Sequence, residues 1–530
     1  MLGRWRPICL LSTIGNMLES ILARRISELA YKHDLLPATQ MAFKGRSTTR
    51  TALIYLIGII RSARKNGLIV SMLQLDISGA FDHVNQEQLF QILQQWIIDF
   101  LCSWLSDRTA KVSIPGYTLE SMPFTTGIPQ GSPLSMVLLA FSAAGLLDIT
   151  CHEVDGVLLF KMAFVDDIHL IAVSTSVDLN QRVLAREYFR CDHWGHTSGN
   201  TFSVHKCKLI HIGSLIERKD ARPMSDYIPQ FNDPEKPLDT LRVLGLILHV
   251  NRRGNLTWDR HYEYIQAKTK ILLGAFRRII RPAWGLPLKE SRELYCTWIR
   301  PALTYGSAAF WTPSEDVAPT IRCALNHEVY DTFSDAATEY DSDMDRMDDS
   351  DSNFDYIPSR TCEPDTYVHD KPTRELRGNF EARQNDFLRP VAGAPHGTAT
   401  IIVQKELYIE SQDCFMSRLR TTALANLHGT KEGKTIRDAV DKVEEMGRRN
   451  APRLRTSDSD TCTTTDLLTE TERIALEIYE EAKDDVEYEK EQREAEHRTM
   501  SPEQYEQLLK KAIRSGAKQY SHKKMSALWK

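Results

Sequence analysis

The sequence predicts an α+β protein with its sheet in the first 312 residues and a mostly helical, partly disordered C-terminal region. Three observations predict it. Short apolar runs at 70–75, and on both sides of the acidic pair within 158–173, have the length of buried strands. Longer segments at 85–105 and 260–280 repeat their apolar residues at helical spacing. After Trp311 the composition changes: residues 331–356 hold ten acids and a single arginine.

Taken in order, Arg6-Pro7 and an apolar run precede Leu18, Ile21, Leu22, Ile26 and Leu29, whose spacing predicts a core-facing helix. Residues 1–30 carry four arginines and two acids, a superficial likeness to an organellar transit peptide, but read better as folded protein. Val70–Leu75 has one polar break and meets Asp76, as a buried strand ending at a site does. Leu89, Ile92, Leu93, Trp96, Ile97, Phe100 and Leu101 form the apolar face of a helix over 85–105. Ser132–Leu147 predicts a nearly all-apolar buried helix, and Leu158–Val173 two strands joined by a tight turn. Leu241–Val250 reads as a strand pair in which Gly245 permits close packing. Helices follow at 260–280, basic on one side, and at 288–300.

The acidic stretch 331–356 predicts a disordered or solvated loop. A semi-globular stretch spans Phe380–Leu427, and a charged helical tail begins near Thr435. Within it Ser501-Pro502-Glu503-Gln504 is a helix start, with Ser as N-cap, Pro at N1 and Gln reaching back. The expected organisation is a body of 1–250, helices of 251–312, an acidic insert of 313–375, a region of 376–430 and a helical tail of 431–530.

Of 530 residues, the first 312 carry 35 Lys and Arg against 27 Asp and Glu, and the remainder 31 against 44. The basic half suits a polyanionic partner; the acidic half would repel one. No stretch approaches the roughly 20 apolar residues of a membrane span. Ten cysteines without a CxxC pair argue against a zinc ribbon or disulfide scaffold, and fit a reducing, intracellular setting.

Three segments carry the chemistry: LQLDISGAFDHV with Asp76, Phe81 and Asp82; GIPQGSPLS, Gly127–Ser135; and FVDD, Phe164–Asp167. An Asp-Asp pair alone is usually a turn. A further aspartate ending a separate apolar strand changes that, because neighbouring strands would bring the carboxylates together. Divalent metal makes such crowding tolerable, and hard oxygen ligands suit Mg2+. Two ions about 3.5–4 Å apart can activate a hydroxyl and clamp the leaving oxygen of a phosphoryl displacement. Gly127, Pro129 and Gly131 keep the middle loop thin enough to approach a nucleotide, and Gln130 adds a planar donor and acceptor.

LDISGAFD, GIPQGSPLS and FVDD, in this order, resemble motifs A, B and C of reverse transcriptases, more finely those of LINE-type (non-LTR) retrotransposons, including the fungal-type elements. Gln40 leading to GRSTT, TFSVHKCKLIHIG around Lys206, VLGL at 243–246 and RPALTYG extend the likeness over about 4–312, and weakly over 378–427.

The resemblance implies a right-hand polymerase of fingers, palm and thumb with an antiparallel palm sheet. It implies RNA-directed DNA synthesis from a primer 3′-hydroxyl and a dNTP on an RNA or DNA template. Asp76 and Asp166 would bind two Mg2+ ions (Mn2+ also possible), with the Ile77 carbonyl lending a ligand and Asp167 an accessory carboxylate. Phe81 would crowd the sugar 2′ position. Gln130 and Gly131 would touch the nucleotide and template, and Lys206 would donate a proton to pyrophosphate. Arg6, Lys44 and Arg46 would meet triphosphate or template. The basic helix around Lys268, Lys270, Arg277, Arg278 and Arg281 would track a phosphate backbone. A nuclear site of action follows only from the family's habit, and organellar targeting stays open.

The chain departs from the family pattern at several places. Asn16 and Lys208 stand where lysine and glutamate are expected, 40–45 is shortened, and the loop after motif A has lost residues near 93–98. It reads as N-terminally truncated, so endonuclease and ribonuclease H activities would come from elsewhere. The alternative is a catalytically inactive nucleic-acid-binding remnant. An intron-type maturase or RNA-dependent RNA polymerase is disfavoured by the thumb sequence and by Phe81 respectively. HGTKEGKT, with Gly429, Gly433, Lys434 and Thr435, approaches a P-loop, but its glycines are one residue too near and no strand precedes it. Cys191, His193 and His196 suggest a helix surface more than a metal site.

Overall fold

The computed structural model describes residues 8–43, 48–87, 89, 95–106, 108–111, 113–114, 117–118, 120–123, 127–147, 151–219, 221–234, 238–280, 285–312, 373–395, 398–450, 470–495 and 499–529. The acidic stretch 331–356 lies outside them, as do Arg6, Lys44, Arg46 and Arg281.

The chain enters through two helices, α1 (Thr13–Lys32) and α2 (Thr49–Lys65). Each is started by a hydroxyl cap: Ser12 accepts from the Gly15 N–H and Thr48 from the Thr51 N–H. On α1 the predicted face is only partly the buried one. Ile26 is buried, but Leu18 and Ile21 are each 53% exposed, and the inward positions are Glu19, Ala23, Ile26 and Ala30. Periodicity located the helix; the partner it packs on selects the face. Helix α2 is buried on almost every side from Thr51 to Ala63. Burying a leucine or isoleucine stabilises by roughly 1.5–3 kcal/mol, so α2 is a main pillar of the fold.

Beyond α2 lies a five-stranded antiparallel sheet of β1 (Ile69–Leu75), β2 (Cys151–Val154), β3 (Val157–Phe164), β4 (Asp167–Ser174) and β5 (Lys208–Ile212). Its spatial order is β5-β1-β4-β3-β2. The expected strand pair at 158–173 is the β3–β4 hairpin, closed by Phe164 opposite Asp167. Helix α3 (Gln95–Leu105) and the motif B helix α4 (Pro133–Ser142) follow β1; the predicted 85–105 helix is described as a continuous helix only from Gln95. Helix α5 (Val177–Ser198) covers one face of the sheet and α2 the other.

A smaller sheet of β6 (Thr240–Val243), β7 (Leu246–Val250) and β8 (Leu256–Thr257) comes next. Gly245 sits in its first turn at φ 84° after Leu244 at 47°. The helix α6 (Asp259–Ile279) then leads to helical turns over 288–310.

Residues 374–427 form α7 (Arg374–Ala392), α8 (Thr400–Glu406) and α9 (Gln412–Leu427), and share one core with α6 and the helical turns over 288–310. Trp311 packs edge-on against Phe380 at 5.5 Å, and Tyr295 donates to Gln384 Oε1 at 2.9 Å. Arg61 of α2 and buried Arg420 of α9 both donate to carbonyls of the 307–310 helix, tying three regions at one helix C-terminus. Helix α10 (Lys431–Asn450) returns to lie along α2, with Val440 against Gly58 and Gly447 over Asn66. Two ion pairs fasten it: Lys431 to Asp34 at 2.7 Å and Arg449 to Glu153 at 3.1 Å. The tail ends in α11 (Glu470–Ala495) and α12 (Pro502–Trp529), packed on α9. Ser501 and Gln504 form the reciprocal cap expected of α12.

Candidate active site

Asp76 follows the last residue of β1, and the pairing of Leu75 with Ile168 sets it opposite Asp167 at the start of β4. Asp166 occupies the turn between β3 and β4, so all three aspartates lie at one end of one sheet. Solvent reaches Asp167, yet its carboxyl is pushed above the ordinary carboxylate range, first by desolvation, then by Asp166 and by Asp76. Negative charge is concentrated at this edge.

Lys206 answers part of it. A short helical turn, Val204–Lys206, places Lys206 Nζ 3.3 Å from Asp76 Oδ2, with both side chains about half exposed. The turn is held by the backbone: the Ser203 N–H donates to the Asp76 carbonyl at 2.9 Å, and Ile77 pairs with Phe202.

The motif B loop meets motif A directly. The Ile128 N–H donates to the Phe81 carbonyl at 2.8 Å, and a Cβ on Gly127 would lie 2.6 Å from that oxygen. Phe81 itself is half-buried and packs with the α1–α4 cluster. The Gln130 carbonyl accepts from the Cys9 N–H at 2.7 Å. Gly131 adopts φ 115° with the Cys9 carbonyl 2.7 Å from where its Cβ would stand. Only glycine fits there. Arg6 and Arg46 lie outside the described residues, so their placement in this site is untested.

Three contributors were given no site role by the sequence reading. Buried Glu19 accepts from the Ser132 hydroxyl, the N-cap of α4, and from Trp104 Nε1 at 2.8 Å. Its signal was an acid among the apolar residues of α1. Gln40, fully buried, accepts from the Val165 N–H at 3.3 Å behind the acidic turn. Lys208 lines a cavity of about 560 Å3 together with Asp76, Asp167 and Lys206.

The decoys resolve locally. Gly433 lies in the first turn of α10, capped by Thr430 Oγ1 at 3.0 Å, and a helix precedes HGTKEGKT. Cys191 is buried in α5 and its thiol is pushed up to about 12 by desolvation.

Residues 2–248 match the family described as "Reverse transcriptase (RNA-dependent DNA polymerase)". The Pol polyprotein of the type-1 retrotransposable element R1 from Bradysia coprophila is 24% identical over 320 residues, 58% of this chain and 30% of its own. The RNA-directed DNA polymerase of the mobile element jockey from Drosophila melanogaster is 23% identical over 310 residues, 57% of this chain and 32% of its own.

About half of this chain is a distant homologue of non-LTR retrotransposon reverse transcriptases. The chain spans about a third of the length of those curated relatives. The fold is the α+β reverse transcriptase-like polymerase fold with antiparallel sheets and a helical C-terminal region. A structure titled telomerase from Candida Tropicalis in complex with a telomeric RNA fragment overlays with a TM-score of 0.32 at 10% identity, covering 80% of this chain and 56% of that one.

The reverse transcriptase family is one of nucleotidyltransferases that use divalent metal and a nucleic-acid template. The three carboxylates and the Ile77 carbonyl are hard oxygen donors suited to such an ion. The raised pKa of Asp167 reflects its desolvation first and the neighbouring carboxylates Asp166 and Asp76 second. As posed, no three His, Cys, Asp or Glu side chains among the described residues converge on one ion. Among those residues no helix is long and apolar enough to cross a membrane.

Proposed function

We propose that the chain is an RNA-directed DNA polymerase that joins a dNTP to a primer 3′-hydroxyl on an RNA or DNA template. The observation that carries this reading is the meeting of Asp76, Asp166 and Asp167 at one sheet edge, beside a motif B loop thinned by Gly127 and Gly131. Asp76, Asp166 and the Ile77 carbonyl would hold the Mg2+ ions, which supply activation of the hydroxyl and neutralisation of the phosphates.

The protein's own groups do the positioning. Lys206 Nζ, already beside Asp76, is placed to give a proton to the leaving pyrophosphate. Phe81 would narrow the space for a sugar 2′ substituent, and Gln130 and Gly131 would lie beside the nucleotide and template. The exposed Lys268, Lys270, Arg277 and Arg278 of α6 would follow the duplex backbone, making binding salt-dependent. Asp167 would act beside the two ligand aspartates.

A second reading, a nucleic-acid-binding protein without catalysis, draws on the aspartates' failure to converge on one point as posed. One assay separates the two. Purified chain extends oligo(dT) on poly(rA) with Mg2+, and Asp166→Ala abolishes extension while still binding primer–template. Wild-type chain that binds but never extends sinks the polymerase reading in favour of the second; a chain that does neither sinks both.

A further inference from the structure

Val165 sits between the strand β3 and Asp166 with φ 63°. Left-handed backbone is a genuine outlier for a β-branched residue, and it persists only where the surroundings hold it. Gln40, with no exposed surface, accepts the Val165 N–H through Oε1 at 3.3 Å. The backbone around Gln40 is stitched to the end of β3: the Met41 N–H donates to the Ala163 carbonyl at 2.8 Å, and the Ala163 N–H to the Thr39 carbonyl at 3.1 Å. Gln40 therefore cannot follow the turn if the turn relaxes. Its Nε2 has no hydrogen-bond partner among the described residues, an expense a purely structural glutamine would avoid.

We propose that Gln40 is a positioning residue for the acidic turn, clamping Val165 in left-handed backbone so that Asp166 and Asp167 face Asp76. Without the clamp, Val165 returns to ordinary backbone and the peptide carrying Asp166 rotates away. The proposal rests on the polymerase reading of the same site.

The test is a rescue experiment on the full chain. Gln40→Leu lowers kcat for primer extension roughly 10- to 100-fold, the scale of a displacement near 1 Å, with KM for dNTP changed little. Val165→Gly, placed in the Gln40→Leu background, recovers most of that loss, because glycine adopts this backbone without strain. Gln40→Glu, which keeps an acceptor oxygen, stays closer to wild type than Gln40→Leu. Thermal melting and primer–template affinity accompany each variant. A Gln40→Leu protein as active as wild type overturns the proposal. So does a folded but impaired Gln40→Leu protein that Val165→Gly fails to improve. Should Gln40→Leu not fold, Gln40→Glu and Val165→Gly carry the test: Val165→Gly alone falling as far as a ligand substitution would overturn it. A wild-type chain inactive from the start defeats the polymerase reading instead, and the two failures are told apart.

Discussion

The end of the sheet that bears Asp76 and the back of the molecule where α2 meets α10 obey opposite rules. At the aspartate-bearing edge, half-exposed charges are crowded together and held by backbone hydrogen bonds, glycine contacts and a left-handed turn. At the back, apolar side chains from residues 380 positions apart interlock with little room left, and the ion pairs lie at the rim. Charge is concentrated at the open sheet edge, and apolar burial at the back. The difference implies that substitutions sort cleanly: edge changes should alter rate with little effect on folding, and interior changes the reverse.

The sharpest interior case is Lys161 on β3. Its Nζ stands 2.6 Å from Glu187 Oε1 and 3.1 Å from the Leu146 carbonyl, with both side chains less than a tenth exposed. Removing one partner leaves a buried charge short of its match, which typically costs about 3–5 kcal/mol. Lys161→Met should therefore lower stability by that order in denaturant unfolding. Should it unfold no more easily than wild type, the Arg190 guanidinium, 3.0 Å from Glu187 Oε2, suffices to balance that carboxylate.

Next comes the α2–α10 contact. Met446 is buried against the α2 side of the core, and Met→Ala in such places costs about 2–5 kcal/mol. The expected outcome for Met446→Ala is a lower melting temperature with unchanged kcat at permissive temperature. A fall in kcat without a change in melting would break the division between back and edge, and would make α10 part of the catalytic apparatus.

At the edge itself, Asp167 should show the opposite sign. Its pKa is raised in the folded chain, so the charged form is what folding disfavours. Wild type is least penalised at low pH, where the carboxyl is protonated, and loses stability as pH rises through its pKa. Asp167→Asn should therefore melt slightly higher than wild type near neutral pH, the gap closing on acidification, while extension is lost. Equal melting across that range would mean Asp167 is not crowded by Asp166 and Asp76.

These contrasts also explain what the sequence made legible. Asp76, Asp166, Asp167, Lys206 and the Gln130–Gly131 loop each sit in a contiguous motif whose local form (a strand end, a tight turn, a thin loop) is written in neighbouring residues. The sheet could be drawn from its apolar runs for the same reason. What covers α2 could not, because the covering helix begins at Lys431 and nothing near α2 names it. The inward face of α1 was misjudged on the same ground: Leu18 and Ile21 carry the stronger apolar signal, but Glu19 and Ala23 face the motif B helix, where a small side chain and a carboxylate for Ser132 are needed. Gln40 was visible only as part of a motif, since its role depends on a strand 120 residues away, bridged at Ala163.

The smallest expected effect is at Lys208, and it tests whether the edge is itself divided. Lys208 pairs with Gln74 across β5 and β1, so its side chain shares the face of Asp76, two residues on. Unlike Lys206 it makes no ion pair among the described residues, and it opens onto the same cavity as the aspartates. A solvated cation beside a phosphate-bearing substrate contributes about 0.2–1 kcal/mol, because water and salt screen it. Lys208→Gln should accordingly raise KM for dNTP or weaken primer–template binding by no more than about fivefold, with kcat unchanged. The change should shrink at high salt, and Lys208→Arg should behave as wild type. A rise in KM alone would assign Lys208 to the nucleotide phosphates, and weaker primer–template binding alone to the duplex backbone. A fall in kcat comparable with that of Asp167→Asn would instead place Lys208 among the groups that act on the reacting phosphate.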